Sequence, residues 1–376
     1  MLSLGSAKAF ATKGNRDPLT EFVEETRVKH GLPGLAVLVQ NKGTVEHLIA
    51  TGIRARRSDT PVSPDDLWHL GSCAKAMTAT LLATLVEKGS LSWDTTVASV
   101  FPDLATSMNP VSGKITLGQL LSMSSGMAEN PSNKLGLDRT IELMRQLDAD
   151  KAQTPRERRM HVVETMLAEP PHTTPGTRAA YSNTGYIIAG AMAEQLTGTA
   201  YETLIADAVF KPLGITHFGF GAPGTLTAID QPRGHKNGRN SPALSPDDPE
   251  ADLPTVFRPA GGLHMSLGDW ALFVSDVLAG MNGKGHLLKP ETYRHLLTST
   301  HLKPLGVYAD GWAVLEKDGT IAALAHTGSN ERWFASVNAY PPQDLFFLIV
   351  TNDGRKAGED GLSAIRSQLK SSYGVS

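Results

Sequence analysis

The chain has 376 residues, 40% of them hydrophobic and 19% charged, which predicts a globular protein of two or three domains at roughly 150 residues per domain. Lysine and arginine number 35 against 38 acidic residues, and this balance lacks the basic excess of a nucleic-acid-binding protein, so no nucleic acid is expected as a partner. The single cysteine, Cys73, excludes an intrachain disulfide framework and a multi-cysteine zinc site, and it leaves the compartment open.

The N-terminal part of the chain predicts a tail, a helix and a hairpin. Residues 1–16 contain basic but no acidic residues, and we interpret them as a loose tail without a clear signal peptide, with a worn or trimmed export signal as the alternative. Asp17 and Pro18 have the order of a helix N-cap followed by the first helical position. Residues 35–40 and 44–50 are β-rich runs separated by a short Asn-Lys-Gly turn, which predicts two hairpin strands.

The C-terminal part predicts the other half of a sheet. Four β-rich runs follow one another between turn signals, at residues 312–315, 320–325, 332–340 and 345–351. A last segment, residues 359–369, has apolar side chains at helical spacing. We therefore expect the two chain ends to build one antiparallel sheet flanked by terminal helices. The longest strongly apolar stretch in this part falls far short of the roughly 20 residues of a membrane-spanning helix, so no transmembrane segment is predicted.

The middle of the chain predicts helices and one long excursion. Apolar residues recur at helical spacing in the segments 74–85, 115–123, 141–147, 162–167, 186–196, 201–209 and 270–278. Residues 221–254 are rich in Gly, Pro, Asn, Asp and Ser, and such long irregular loops often shape a binding site. The predicted fold class is α+β. We expect residues 17–70 and 265–376 to form a discontinuous sheet domain and residues 71–264 to form a mostly helical domain, with any functional site at their interface.

The first candidate for chemistry is a serine and a lysine at the start of the 74–85 helix. Ser72 and Lys75 are three residues apart, so both side chains lie on one helix face and can touch. A serine hydroxyl needs a neighbouring base at neutral pH, and a buried lysine with a lowered pKa can supply one. An ordinary helix can also begin with a serine and carry, three residues later, a lysine whose amino group extends to solvent. The Ser-Lys pair alone is therefore weak evidence for catalysis. Cys73 points about 100° away from Ser72 on an ideal helix and is interpreted as a packing residue.

Two further polar clusters follow along the chain. Tyr181 and Asn183 stand at the entrance to the 186–196 helix, where a tyrosine could exchange protons and where an ordinary helix N-cap is the alternative. The triplet His326-Thr327-Gly328 ends the predicted strand 320–325, and its glycine permits close backbone approach to a ligand. Taken singly, this triplet could be only a strand end.

The order of these three groups resembles the serine β-lactamase and penicillin-binding-protein superfamily, specifically its class C-like branch of esterases and peptidases. That superfamily carries an SxxK motif near the N-terminus, a YxN motif in its helical middle and a [K/H]-T-G triplet on a late strand. The corresponding residues here are Ser72 with Lys75, Tyr181 with Asn183, and His326-Thr327-Gly328. Two further segments also match, Ile115 to Gly126 and Pro259 to Leu263. The fold implied by the resemblance is an antiparallel sheet with flanking helices, formed by both chain ends, plus an all-helical domain.

The resemblance also implies a role for each matching residue. Ser72 becomes the acylated nucleophile, Lys75 its partner, and Tyr181 the group that relays protons between nucleophile and leaving group. The backbone amides of Ser72 and Ser329 form the oxyanion hole that stabilises the tetrahedral intermediate. The implied substrate-binding residues are Asn183, His326, Thr327 and Gly328. The resemblance implies no metal and no organic cofactor.

Several residues depart from the pattern of the superfamily. Many relatives have histidine where this chain has Met123, and true β-lactamases usually have lysine where this chain has His326. A neutral imidazole anchors a substrate carboxylate less strongly than an ammonium group, which favours esters or peptides that lack this requirement. Arg332 follows the triplet as a further candidate for substrate binding, and the alternative is that it faces water at the sheet edge.

The sequence therefore predicts a serine hydrolase that forms an acyl-enzyme with a small ester, amide or peptide, and an esterase-like activity is preferred. Three alternatives stay open at this point: a β-lactamase or D,D-peptidase, an acyl-accepting sensor that does not turn over, and an acyltransferase that uses the same residues. The sequence leaves the oligomeric state, the compartment and the acyl group of the substrate open.

Overall fold

The computed structural model describes residues 17–131, 137–150, 152–236, 238 and 240–375. The predicted loose tail, residues 1–16, lies outside the described residues.

The strands of the described residues form two sheets. Their bounds are β1 Gly34–Asn41, β2 Thr44–Gly52, β3 Leu67–His69, β4 Phe218–Phe220, β5 Leu263–Ser266, β6 Tyr308–Ala309, β7 Trp312–Lys317, β8 Thr320–Ser329, β9 Phe334–Tyr340 and β10 Leu345–Thr351. Seven strands form one antiparallel sheet in the order β2-β1-β10-β9-β8-β7-β6. The other three form a small antiparallel sheet in the order β3-β5-β4.

The large sheet confirms the prediction that the two chain ends come together. Strand β1 pairs with β10, and Val37 lies opposite Ile349. Every residue of β10 is buried, because helices cover both faces of the sheet there. Side chains alternate between the two faces: Leu348 joins a core with the central helices, while Phe347 and Ile349 join a core beneath the terminal helices. The fold is therefore of the predicted α+β class.

Twelve helices accompany the sheets in the described part of the chain. Their bounds are α1 Pro18–His30, α2 Lys75–Glu87, α3 Val97–Val100, α4 Leu117–Leu121, α5 Leu137–Ala149, α6 Pro155–Ala168, α7 Asn183–Thr197, α8 Tyr201–Ile205, α9 Arg258–Gly261, α10 Leu267–Met281, α11 Pro290–Leu296 and α12 Lys356–Tyr373. Helix α1 begins as predicted, with the Asp17 carboxylate accepting from the Thr20 amide at 3.3 Å and Pro18 at the first helical position.

Element boundaries differ from the predictions at three places. The predicted helix 115–123 is shortened to α4 because Met123 adopts a φ of 62°, which ends a right-handed helix. Strand β8 continues to Ser329, so the His-Thr-Gly triplet lies inside the strand and not after it. Strand β9 begins at Phe334, which leaves Arg332 outside the sheet. Between Phe220 and Thr255 the described residues form no helix or strand, in line with the predicted excursion.

The small sheet was not predicted, because its strands have only three or four residues each. It lies across the predicted division into two domains. The boundary between residues 264 and 265 falls inside β5, and β5 pairs with β3 of the predicted sheet domain and with β4 of the predicted helical domain. The proposed division at this boundary thus remains a prediction.

Helix α2 connects two hydrophobic cores. Met77 and Leu81 pack into the core shared with the large sheet, whereas Leu82 and Leu85 pack into the core of the helical region. Every residue from Lys75 to Leu85 is buried. The helix that follows Ser72 is thus fixed from both sides, and this determines where its first turn stands.

Candidate active site

A tight turn places Ser72 at the entrance to α2. Residues Gly71–Ala74 form a single 3₁₀ turn that runs directly into the helix. Gly71 has a φ of 50°, and a Cβ atom there would lie 2.4 Å from the Ser329 amide nitrogen. Glycine is therefore required both by the backbone conformation and by the close approach of β8.

The C-terminal end of β8 packs directly on this turn. A Cβ atom at Gly328 would lie 2.0 Å from the Leu70 carbonyl oxygen and 2.8 Å from the Ser72 amide nitrogen. Only a residue without a side chain allows these backbones to approach so closely. The amides of Ser72 and Ser329, the predicted oxyanion-hole donors, border the same contact.

Lys75 is fully buried and its amino group is surrounded by oxygen atoms. The Nζ atom lies 3.1 Å from the Ser72 hydroxyl, 2.6 Å from Oδ1 of Asn183 and 2.6 Å from the carbonyl oxygen of Ala260. Burial lowers the pKa of Lys75 to about 7, although the charge of Glu129 opposes this shift. A neutral amine can donate to two of these oxygens and direct its lone pair at the Ser72 hydroxyl.

The turn before α7 brings Tyr181 and Asn183 to the same place. The Ser182 hydroxyl caps the helix by accepting from the Gly185 amide at 3.0 Å, which fixes the turn. The Asn183 side chain contacts Lys75 on one side and donates to Oδ1 of Asn130 at 2.7 Å on the other.

Tyr181 completes the group around Ser72. Its hydroxyl is hydrogen-bonded to the Ser72 side chain, and Nζ of Lys75 lies 4.8 Å from the centre of its ring. Burial raises the pKa of Tyr181 well above its ordinary value, an effect that the hydrogen bond to Ser72 only partly offsets. The tyrosine is consequently a neutral phenol at physiological pH.

Met123, one of the predicted departures from the superfamily pattern, supports this turn. The residue is fully buried; its carbonyl oxygen accepts from the Ala180 amide at 2.8 Å, and its sulfur lies 3.1 Å from the Ser182 amide. The thioether and the backbone of Met123 thus hold the segment that carries Tyr181, so the departure has a structural role.

His326 is buried beside the cleft, and both of its ring nitrogens have partners. Its Nδ1 lies 2.6 Å from the Thr327 carbonyl oxygen, which can only accept, so Nδ1 carries the proton. Its Nε2 then accepts from the Tyr308 hydroxyl at 3.0 Å. Burial and, secondarily, the charge of Lys75 lower the pKa of His326 to about 4. The imidazole is therefore neutral at pH 7, and only 9% of the residue is exposed.

Tyr308 was not found from the sequence. It lies on β6, a strand of two residues, and no motif accompanies it. Asn130 was missed for a similar reason, because it stands in a loop without periodicity. Long-range packing alone brings these two side chains to the site, and only a structure reveals such contacts.

The remaining predicted residues lie along and after β8. Thr327 is exposed, whereas Gly328 is buried against the nucleophile turn. Arg332 is 2% exposed, with Nη1 2.8 Å from the Asn330 carbonyl oxygen and 3.2 Å from the Glu331 carboxylate. The alternative that Arg332 faces water is therefore wrong, because the residue lies in the buried turn before β9 and not on an open strand edge.

Neither a membrane span nor a metal centre accompanies these residues in the described part of the chain. No helix within the described ranges is long and apolar enough to cross a membrane. No group of three His, Cys, Asp or Glu side chains in that part of the chain could hold a metal ion.

Known proteins resemble this chain over most of its length. A curated relative, penicillin-binding protein 4 of Amycolatopsis lactamdurans, is 26% identical over 348 residues, which cover 89% of this chain and 84% of the relative. The penicillin-binding protein from Bacillus halodurans has a TM-score of 0.73 at 22% identity, covering 92% of this chain and 99% of that structure. The D-amino acid amidase from Ochrobactrum anthropi SV3 has a TM-score of 0.71 at 18% identity, covering 95% and 100%.

These structural likenesses establish a common fold. The family model described as Beta-lactamase matches residues 19–370, nearly the whole described chain. The match includes the turn of Ser72, the YxN segment and strand β8 within one domain. The chain therefore belongs to the Beta-lactamase family of serine hydrolases.

Proposed function

We propose that this protein cleaves small esters through an acyl-enzyme on Ser72, with Lys75 as the base. The observation that carries the proposal is the position of the Lys75 amino group, 3.1 Å from the Ser72 hydroxyl and held by two further oxygen atoms. A buried lysine with a pKa of about 7 is partly neutral at physiological pH and can accept the serine proton.

The proposed reaction has two halves. In the first, the Ser72 oxygen attacks the acyl carbon while its proton passes to Nζ of Lys75, and the resulting oxyanion is held by the amides of Ser72 and Ser329. The Tyr181 phenol transfers a proton to the leaving group as the bond to the acyl carbon breaks. Lys75 then returns its new proton to the Tyr181 oxygen, so both groups regain their starting forms. In the second half, water gives a proton to Nζ of Lys75 while its oxygen attacks the acyl carbon, and the Ser72 oxygen leaves with the proton that Lys75 passes back. Tyr181 is suited to proton transfer because its pKa is raised and it stays protonated.

The preference for esters rests on His326. Its Nδ1 proton is donated to the Thr327 carbonyl and its Nε2 lone pair is occupied by Tyr308. The imidazole consequently has no free N–H group and no charge with which to hold a substrate carboxylate. Substrates without a carboxylate at this position therefore suit the pocket better than penicillins do.

Amide or peptide cleavage is the second candidate activity. The named relatives include penicillin-binding proteins and a D-amino acid amidase, whose fold is shared over nearly its entire length. Asn183, which contacts Lys75 and Asn130, could orient an amide group of such a substrate.

One experiment separates these activities. Wild type and Ser72→Ala are assayed in parallel on p-nitrophenyl acyl esters, a D-amino acid amide and a chromogenic cephalosporin, and covalent mass is followed by intact-protein spectrometry. We expect ester turnover in the wild type only, together with slow or absent cephalosporin hydrolysis. Equal ester rates in both proteins and no adduct would overturn the role of Ser72.

The other outcomes identify the alternatives. An adduct of the wild type without turnover indicates a sensor, and acyl transfer to an added alcohol at the expense of hydrolysis indicates an acyltransferase. Faster cleavage of the amide than of the esters indicates an amidase or peptidase.

A further inference from the structure

The irregular excursion 221–254 ends behind the nucleophile turn, where Asp252 contacts two segments of the site. One of its carboxylate oxygens, Oδ1, lies 2.9 Å from Nε2 of His69 and 2.8 Å from Nδ2 of Asn330. Only 12% of the Asp252 side-chain surface is exposed. Neither the motifs of the sequence nor the proposed reaction uses Asp252, His69 or Asn330.

The contact with His69 leads to Ser72. The His69 ring is fully buried, and its Nδ1 accepts a hydrogen bond from the Gly71 amide at 3.1 Å. Because Nδ1 accepts, a ring proton stands on Nε2, the atom that faces Asp252. The contact with Asp252 therefore limits the movement of the His69 ring. That ring accepts the hydrogen bond of the Gly71 amide, and Gly71 immediately precedes Ser72.

The contact with Asn330 leads to Ser329. Asn330 is 1% exposed and follows Ser329 directly in the chain. Its Nδ2 donates to Asp252, while its Oδ1 accepts from the Arg332 amide at 3.1 Å. The backbone that leaves β8 is therefore fixed one residue after the second predicted oxyanion-hole amide.

We propose that Asp252 is a positioning residue that holds the two halves of the oxyanion hole, one through His69 and the other through Asn330. The inference rests on the proposed function, because it assumes that the amides of Ser72 and Ser329 bind the oxyanion. An oxyanion hole works only if its donors are held before the charge develops, and the two donors come from segments far apart in sequence. Asp252 joins these segments at a single atom.

The charge of Asp252 suits this role. Burial alone raises the pKa of Asp252, but the neighbouring His69 and the Asn330 amide outweigh burial and keep the pKa below its ordinary value. The side chain is consequently a carboxylate at neutral pH. Asn330 donates a hydrogen bond to this carboxylate and the His69 ring lies in close contact with it, so both segments are attached to one charged group.

The test compares Asp252→Ala and Asp252→Asn with Asp247→Asn, which changes an exposed acidic residue of the same excursion. For each protein, kcat and KM on the best ester, the Kd of benzeneboronic acid and the melting temperature are measured. The boronate forms a tetrahedral adduct with the serine and thus reports on the oxyanion hole separately from ground-state binding.

For Asp252→Ala we expect kcat to fall about 10- to 100-fold while KM stays within about threefold, as for small misplacements of catalytic groups. The boronate affinity should fall by a similar factor. Asp252→Asn should lose less, because its amide oxygen can still accept from one partner, and Asp247→Asn should match the wild type. Asn330→Ala should lower kcat in the same way, and the double variant Asp252→Ala/Asn330→Ala should lose less than the product of the single losses.

Two results would overturn the inference. One is unchanged kcat and boronate affinity in both Asp252 variants. The other is a fall in melting temperature and a rise in KM without a matching loss of boronate affinity, which indicates that Asp252 only anchors the excursion. Failure of the proposed function looks different, because the wild type then forms no boronate adduct and Ser72→Ala stays active. If Asp252→Ala does not fold, Asp252→Asn and Asn330→Ala carry the test.

Discussion

At the scale of single residues, the burial of Lys75 decides the chemistry. A lysine placed among three oxygen atoms in water would stay charged, and only the loss of solvent brings its pKa to about 7. The same burial keeps Tyr181 protonated, because it penalises the phenolate. One environment therefore produces a base and an acid beside the same serine.

We predict that kcat/KM rises with pH through an apparent pKa near 7, because the neutral amine of Lys75 is the reactive form and its fraction grows as pH increases. The raised pKa of Tyr181 should leave activity flat on the alkaline side up to about pH 10. Initial rates on a neutral ester, measured across this range, test the profile.

The control for this profile is Lys75→Arg. A guanidinium group cannot lose its proton in this range, so the variant should be inactive at every pH. A wild-type profile that stays level between about pH 5 and 9 would contradict Lys75 as the base.

At the scale of elements, the contact between β8 and the turn of Gly71–Ala74 depends on two glycines, which have no side chain to keep the backbones apart. Gly328 and Gly71 allow the two backbones to meet, and the oxyanion amides stand at this contact. The strand therefore acts as one wall of the site, and its position is set by its ladder with β9, where Gly328 lies opposite Ala335.

Gly328→Ala should abolish ester turnover and destabilise the protein by about 1–3 kcal/mol, because the new methyl group would overlap the Leu70 carbonyl oxygen. Turnover and chemical denaturation measure the two effects. The matched control is Gly268→Ala on α10, where a Cβ atom has no neighbour closer than 4.0 Å. That variant should keep its activity, and an active Gly328→Ala protein would show that β8 does not form this wall.

The same scale shows which parts of the site a sequence can predict. Ser72, Lys75, Tyr181 and Asn183 were found because each belongs to a short motif, and the structure does bring their side chains together. The main strands were found because their apolar residues run continuously and turns separate them. Short strands such as β3 and β6 carry too few residues for a pattern.

The contacts that the sequence missed are distant in the chain. Asp252 meets His69 across almost half of the sequence, and Tyr308 meets His326 across a sheet. None of these side chains belongs to a local pattern. The packing of whole helices and strands brings these side chains together, and the spacing of residues along the chain does not predict that packing.

At the scale of the whole molecule, α2 ties the sheet and the helical region into one body. Consecutive residues on this helix belong to different cores: Leu81 to the core shared with the large sheet and Leu82 to the core of the helical region. The helix cannot lose one set of contacts and keep its position in the other. The position of Ser72, at the start of α2, therefore depends on the folding of both regions.

We predict that the protein unfolds in a single transition, with loss of Ser72 acylation at the same denaturant concentration as loss of secondary structure. Leu81→Ala and Leu82→Ala are a matched pair, since both side chains are fully buried. Each should destabilise the whole molecule by about 2–5 kcal/mol and shift both signals together. Circular dichroism and covalent labelling of Ser72 measure this. An intermediate that keeps its helices but has lost acylation would show that the regions unfold separately.

The lone thiol of the chain stands at the centre of this arrangement. Cys73 is buried behind the nucleophile turn, with its sulfur 3.6 Å from the His326 carbonyl oxygen and 4.0 Å from that of Ala335. Burial raises the pKa of Cys73 far above its ordinary value, so the thiolate that reagents attack is scarce in the folded state. A thiol reagent should therefore react with Cys73 only when β8 and β9 separate from the turn of Gly71–Ala74. The rate at which the reagent modifies Cys73 therefore measures how often the catalytic centre opens, and no label has to be introduced into the chain.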